Sequence, residues 1–220
     1  MIHAVILARG GSKTIKNKNL RKINNKPLIY WSIKDSIKSK TISKTWVSSD
    51  SEKILNYSHK NGADVIIRPK KISGDKASSE SAWEHAIKII NKKYKITFII
   101  GIQPTSPIRN PFDFDRAVNK FKKFNYDSMF SANYIHDYNS WKIKGKKLVA
   151  NYNYKKRSRR QDIKNLILEN GSFYIFKPKK FLKNKNRLFG KIGFYLMTKK
   201  KGFQIDDNLD IKIIETIFNN

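Results

Sequence analysis

"HAVILARGGSKTIKNKNLRKINNKPLIYWSI", residues 3–33, decides how this chain is to be read. An apolar run from His3 to Ala8 stops at Arg9-Gly10-Gly11. It passes through a loop carrying Arg9, Lys13, Lys16 and Lys18, then enters a second apolar segment at Pro27. A near-continuous apolar run suits a strand covered on both faces, as in a parallel sheet. A loop at the carboxyl end of such a strand is where open α/β sheets bind ligands. Gly10 and Gly11 let backbone N–H groups approach an anion there, and Arg9, Lys13 and Lys18 can supply charge to phosphate oxygens. The stretch fits neither GxGxxG nor GxxxxGK[ST], so it supports neither the dinucleotide fingerprint nor the P-loop.

The same rhythm continues down the chain. Short β-rich runs recur at "TWVSS" (45–49), "DVIIR" (64–68), "ITFIIGI" (96–102) and "SMFSA" (128–132). Between them Trp83, Ala86, Ile87 and Ile90 fall at helical spacing behind Ser78 and Ser79, an N-terminal cap. Pro111 opens another helix over "FDFDRAVNKFKKF". Strands alternating with helices predict an α/β fold with a mostly parallel sheet. After about residue 133 the pattern changes: "NSWKIKGKKLVANY" reads as a hairpin turning near Lys144 and Gly145, an arm or insertion followed by an Arg-rich loop. "GSFYIF" (171–176) and "FYLM" (194–197) return as strands, and "DNLDIKIIETIFNN" closes the chain as an apolar-periodic helix.

The 220 residues suit a single domain with its own core. With no cysteine, any metal must rely on oxygen or imidazole ligands, and a cytoplasmic setting fits best. No apolar run approaches the roughly 20 residues that cross a bilayer, so no membrane partner is expected. The balance of 47 Lys and Arg against 17 acids, a net charge of +30, raises the question of nucleic acid. The lysines are scattered through every segment beside abundant Asn and Ile, which reads as compositional drift rather than a binding face. The four histidines, His3, His59, His85 and His136, show no metal spacing.

"ARGGSKTIKNKN" with "KPLIYWSI" resembles the opening signature of the acylneuraminate cytidylyltransferases, the CMP-sialic acid synthetase family. The likeness continues in order through "VSSDSEKI" (47–54), "IIRPKKISGDKASS" (66–79), "QPTSPIR" (103–109), "RRQD" (159–162), "NGSFYI" (170–175) and "IDDNLD" (205–210). It implies a Rossmann-like nucleotidyltransferase core over residues 1–220 and a β-rich dimerisation arm around 134–165 that reaches toward a second copy in a homodimer. It implies attack of a sugar acid's anomeric hydroxyl on the α-phosphorus of CTP, with pyrophosphate leaving and Mg2+ neutralising the triphosphate.

On that resemblance Arg9, Gly10, Gly11, Ser12 and Asn19 meet the triphosphate, and Lys18 stabilises charge at the reacting phosphate. Arg68 and Ser79 lie around the nucleoside, Gln103 faces the sugar acid, Arg160 grips its carboxylate, and Asn170 and Tyr174 lie near the sugar. The family commonly reads D-x-D near the C-terminus, whereas this chain has Gln204-Ile205-Asp206, so one expected carboxylate is missing. Asp206 is left as the metal ligand, sufficient because magnesium takes one or two carboxylates plus substrate phosphates. Asp50 and Asp207 are candidate supports, and Asp210 faces the terminus of the last helix.

The favoured acceptor is a nine-carbon 2-keto acid, N-acetylneuraminate or a pseudaminic or legionaminic relative, with the eight-carbon acid Kdo as the alternative. Two rivals lie outside that chemistry. A nucleic-acid-binding protein on a degenerate transferase fold would need basic residues and exposed aromatics gathered on one face, yet Trp31, Trp46, Trp83 and Trp141 fall in separate elements. An inactive regulatory homologue is suggested by Gln204 and opposed by the retained Arg9, Lys18, Asn19 and Asp206.

Overall fold

The computed structural model describes residues 1–12, 14–135, 139–159, 162 and 165–219. Strands β1 (Ile2–Leu7), β4 (Lys44–Ser49), β5 (Asp64–Ile67), β6 (Phe98–Ile102), β7 (Ser128–Tyr134), β10 (Ile167–Phe176) and β11 (Ile192–Leu196) form one seven-stranded sheet. Its order is β11-β7-β10-β6-β1-β4-β5. The neighbours β6, β1, β4 and β5 run parallel, β11 is parallel to β7, and β10 is antiparallel to both of its partners. Two small antiparallel pairs stand apart: β2 (Lys22–Ile23) with β3 (Lys26–Pro27), and β8 (Trp141–Lys144) with β9 (Lys147–Ala150). The arm hairpin therefore turns at Gly145 and Lys146, one residue beyond the expected place, where Gly145 has φ +59°.

Helices cover both faces of the sheet, which is why its central strands are apolar throughout. The helices are α1 (Leu28–Lys38), α2 (Glu52–Lys60), α3 (Ser79–Asn91), α4 (Pro111–Lys123), α5 (Pro178–Asn184) and α6 (Asn208–Asn219). One core layer joins Ile29 and Ile33 of α1 and Phe114, Ala117 and Phe121 of α4 to the sheet. The other joins Trp83, Ala86, Ile87 and Ile90 of α3 and Phe181 of α5. Local chemistry starts these helices where they start. Ser78 Oγ accepts from Ser81 N at the head of α3, and α4 opens with Pro111 inside a reciprocal capping box between Asn110 and Asp113. Among the described residues no helix is long and apolar enough to cross a membrane.

A third, smaller cluster positions the site. Ile15 of the first loop, Ile23, Leu28, Ile108, Ile205, and Ile211 and Ile214 of α6 are buried together. It clamps the loop after β1 against the segment before α6, two parts of the chain far apart in sequence. Each fully buried isoleucine contributes roughly 1.5–3 kcal/mol, against about 1 kcal/mol net for a hydrogen bond. Apolar burial, more than any polar contact, therefore sets where the basic loop sits.

Candidate active site

A cleft of about 430 Å³ opens at the carboxyl ends of β1 and β6, the size and place expected of a ligand site in an open α/β sheet. Arg9, Gly11, Ser12, Lys18, Asn19, Arg68, Ser79, Gln103 and Asp206 all line it. Gln204 lines it too, as do Thr105, Asp75 and the Ser73–Gly74 turn, which the sequence reading had not singled out.

The basic loop is held from behind. Asn19 Nδ2 donates to the Arg9 carbonyl at 2.9 Å, fixing the loop's own curvature. Gly10 N–H donates to Asp50 Oδ1 at 2.9 Å, so that amide is engaged by protein and does not line the cleft. A Cβ at Gly10 would stand 2.9 Å from Ser51 Cβ, so glycine here serves close packing of loop on loop; a Cβ at Gly11 would meet nothing within 4 Å. Arg9 Nη1 pairs with Asp75 Oδ1 at 2.7 Å, tying the loop to the segment after β5.

Lys18 reaches from that loop to the far end of the chain. Its Nζ donates to the Ile205 carbonyl at 2.9 Å and lies 3.3 Å from Asp206 Oδ1. The lysine side chain is 12% exposed and that of Asp206 78%, so the ammonium is largely withdrawn from water while the carboxylate remains open to further cations. Ile205 N–H donates in turn to the Thr105 carbonyl at 2.8 Å, joining this segment to the loop after β6.

Arg68 follows β5 and is 6% exposed, yet its Nε and Nη2 have no hydrogen-bond partner. Burial lowers its pKa from the ordinary value, opposed by the carboxylate of Asp50 and reinforced by Arg9. These two donors are sealed from water, so the guanidinium carries an uncompensated desolvation cost beside a cleft that its remaining edge lines. Ser79 is the first residue of α3, while Ser78 supplies the cap.

The remaining expected residues divide. Gln103 follows β6 and faces the bulge in β10, where Asn170 and Gly171 interrupt the pairing with β7 between Glu169 and Tyr174. Gly171 has φ +64°, and a Cβ there would lie 2.9 Å from Gln103 Oε1 and 3.0 Å from Gln204 Oε1. Two side-chain amides therefore converge over this glycine. Asn170 is turned inward. Its Oδ1 accepts from Ser131 Oγ at 2.6 Å and Ser172 N–H at 3.1 Å, and its Nδ2 donates to Asn133 Oδ1 at 2.7 Å, so the amide shapes the bulge and does not line the cleft. Tyr174 is buried against Trp83, its hydroxyl donating to Glu169 Oε2 at 2.9 Å, with its pKa pushed up to about 12 by burial and by Glu169; it too is off the cleft wall. Arg160 and His136 lie outside the described residues.

Among the described residues no group of three or more His, Asp or Glu side chains is arranged to hold a metal. Asp207 Oδ1 accepts from the N–H groups of Leu209 and Asp210, and Asp210 Oδ2 accepts from Asp206 and Asp207. These two carboxylates form the reciprocal cap of α6, and Asp207 does not line the cleft. Asp206 presents the more open of the two carboxylates that line the cleft, Asp75 being tied to Arg9, and a single carboxylate fits magnesium if phosphate oxygens and water complete the shell. Of the four tryptophans, Trp83 and Trp46 are buried, Trp31 stacks on Phe218, and Trp141 stands exposed on the arm, so they do not share a basic face.

The chain is similar to known proteins of one family. The family model described as cytidylyltransferase matches residues 3–218. N-acylneuraminate cytidylyltransferase A of Danio rerio is 35% identical over 97% of this chain and 50% of its own. The CMP-N,N'-diacetyllegionaminic acid synthase of Campylobacter jejuni is 30% identical over 99% of this chain and 95% of its own. The chain thus spans about half the length of the fish relative and nearly all of the bacterial one. Among solved structures, a CMP:2-keto-3-deoxy-manno-octonic acid synthetase complexed with CTP superposes with a TM-score of 0.73 at 14% identity, covering 99% of this chain and 98% of that one, a likeness of fold.

Proposed function

Given that the chain belongs to the cytidylyltransferase family, we propose that it transfers CMP from CTP to the anomeric hydroxyl of a nine-carbon 2-keto sugar acid of the sialic or legionaminic type. The anomeric oxygen forms a bond to the α-phosphorus, the bond from that phosphorus to the bridging oxygen breaks, pyrophosphate leaves with the electron pair, and the hydroxyl proton passes to solvent. The observation that carries this reading is the cleft itself, where the basic first loop, the unpartnered Arg68 and the Lys18–Asp206 pair share one wall.

Arg9 and Ser12, with the Gly11 backbone, would bind the phosphates, and Asn19 holds the loop that presents them. Lys18, withdrawn from water, would stabilise the charge that builds on the phosphoryl oxygens, where a fixed cation in a dry site acts most strongly. Arg68 would take nucleoside oxygens at the edge of its guanidinium that lines the cleft, with Ser79 beside it. Gln103 would orient the acceptor, with Arg160 gripping its carboxylate. Asp206 would hold a magnesium ion whose chemistry is neutralisation of the triphosphate and the departing pyrophosphate.

The arm is the proposed contact between two copies in a homodimer. Its strands place Trp141, Ile143 and Leu148 on one face, with Ile143 opposite Leu148, and these side chains are 43%, 78% and 65% exposed. An apolar face that leaves the body of the domain needs a partner surface.

The test is pyrophosphate release with CTP, magnesium and, in turn, N-acetylneuraminate, N,N'-diacetyllegionaminate, pseudaminate and Kdo. Turnover is expected with a nine-carbon acid, and Asp206→Asn should raise the magnesium needed for half-maximal rate. Preference for Kdo would replace the acceptor assignment, and no release with any acid would end the reading.

A further inference from the structure

We propose that Arg109 is a positioning residue for the acceptor half of the cleft, holding Gln103 and the Gly171 bulge in the arrangement that admits the sugar acid. The inference rests on the transferase reading above and concerns a residue that touches neither substrate.

Arg109 ends the loop that begins at Gln103, and it is 7% exposed. Its Nη1 donates to the Ser172 carbonyl at 2.6 Å and to Ser172 Oγ at 3.1 Å. Its Nη2 donates to Ser32 Oγ of α1 at 2.8 Å and to the Gln103 carbonyl at 3.0 Å. One planar fork thus joins the β10 bulge, a helix under the sheet and the start of its own loop. All four acceptors are neutral, and Nε has no partner. Burial pulls its pKa down to about 10, partly offset through space by Asp35 and Asp113.

A buried cation is a poor way to hold a core together, since apolar residues of similar volume are often as good or better. What the guanidinium supplies instead is fixed geometry: several acceptors at set angles, which neither lysine nor methionine can reproduce. The geometry it fixes is that of the acceptor wall. The Ser172 carbonyl accepts from Arg109 and also from Gln103 N–H at 3.3 Å, so the two strands of the wall share one oxygen. Directly above, at Gly171, the amides of Gln103 and Gln204 converge within about 3 Å of where a Cβ would be. A small shift of the bulge would change the floor on which both amides meet. None of the hydrogen bonds described for Arg109 reaches Arg9, Lys18, Asn19 or Arg68 on the nucleotide side.

The test is steady-state kinetics on full-length variants, with CTP and acceptor varied separately, using N-acetylneuraminate or N,N'-diacetyllegionaminate, whichever the parent turns over. Arg109→Lys keeps a cation but cannot span the acceptors; it should raise the acceptor KM about tenfold or more and leave the CTP KM within about twofold. Ser32→Ala removes one anchor without disturbing charge and should move the acceptor KM the same way by about two- to threefold. It carries the test if Arg109→Lys does not fold. Ser128→Ala, which removes buried hydrogen bonds to Phe189 away from the cleft, should lower melting temperature and move neither KM. Equal rises in both KM values, or none, would overturn the inference while leaving the transferase reading intact. A parent inactive with every acid would overturn both.

Discussion

The ammonium of Lys18 and the carboxylate of Asp206, 188 residues apart in sequence, lie 3.3 Å from each other at the cleft. The pair is lopsided, one partner dry and the other wet, so it contributes little to stability. Its value is placement. The buried cluster that includes Ile15 and Ile205 brings the two segments together, and the pair then presents a cation and an anion side by side.

Removing the cation should therefore affect chemistry more than folding. Lys18→Met is expected to lower kcat roughly 100-fold, the scale of losing a preorganised charge at a developing oxyanion. The Ile205 carbonyl loses its donor, about 1 kcal/mol, or a fall of about 2–4 °C in Tm. Pyrophosphate release and a thermal scan check both parts; kcat within twofold of the parent would remove Lys18 from the reaction.

Arg68 should behave in the opposite way in the free protein. Its guanidinium is desolvated with two nitrogens unpaired, so Arg68→Met should leave Tm unchanged or raise it. The same change should weaken CTP binding about tenfold or more, because the ligand's acceptors no longer find a guanidinium on that wall. Calorimetric titration with CTP reads this directly, and unchanged affinity would show that Arg68 faces no ligand.

Gly171→Ala tests the converging amides. A side chain at φ +64° costs about 1–2 kcal/mol, and the new methyl would press on the ends of Gln103 and Gln204, which can swing away. Stability should drop modestly while the acceptor KM rises and the CTP KM holds. An unchanged acceptor KM would mean that the amides do not meet the sugar acid.

Asp35 supplies a pH dependence. Burial raises its pKa from 3.8 to about 7, against the opposing pull of Arg109. A carboxyl whose pKa is raised on folding stabilises the fold fully below the unfolded value and loses that contribution as pH rises through the folded one. Asp35 alone should thus cost stability between about pH 4 and pH 7, while His3, whose pKa burial lowers to about 4, contributes a rise over much of the same interval, so Asp35→Asn should leave a profile that rises more steeply with pH than the parent's. Melting temperatures across the interval decide it; an Asp35→Asn profile parallel to the parent's would assign the slope elsewhere.

Much of the scaffold was legible in the sequence because its signals are local. Near-continuous apolar runs mark β1, β4 and β6, a serine cap and Pro111 mark the heads of α3 and α4, and the strand–helix alternation implies the parallel sheet. The cleft residues from Arg9 to Asn19 were legible for a similar reason, since the loop follows directly from its strand. What was not legible depends on contacts distant in sequence. Glu169 and Asn170 disguise the first half of β10, so its length, its reversed direction and its place between β6 and β7 could not be read from "GSFYIF". Asn170 turns inward within the bulge, and Tyr174 packs on Trp83 with its hydroxyl on Glu169. Arg109 reads as an ordinary loop cation until its acceptors on α1 and β10 are seen.

The position of β10 has a consequence for how the molecule comes into being. Both of its partners are synthesised before it, and neither is paired with the other, so an emerging polypeptide carries two unsatisfied strand edges until residue 176 has left the ribosome. The wall of the cleft that holds Gln103 and Gly171 is thereby one of the last parts of the fold to be completed, and a chain interrupted short of that point leaves strand edges open to pairing with other chains.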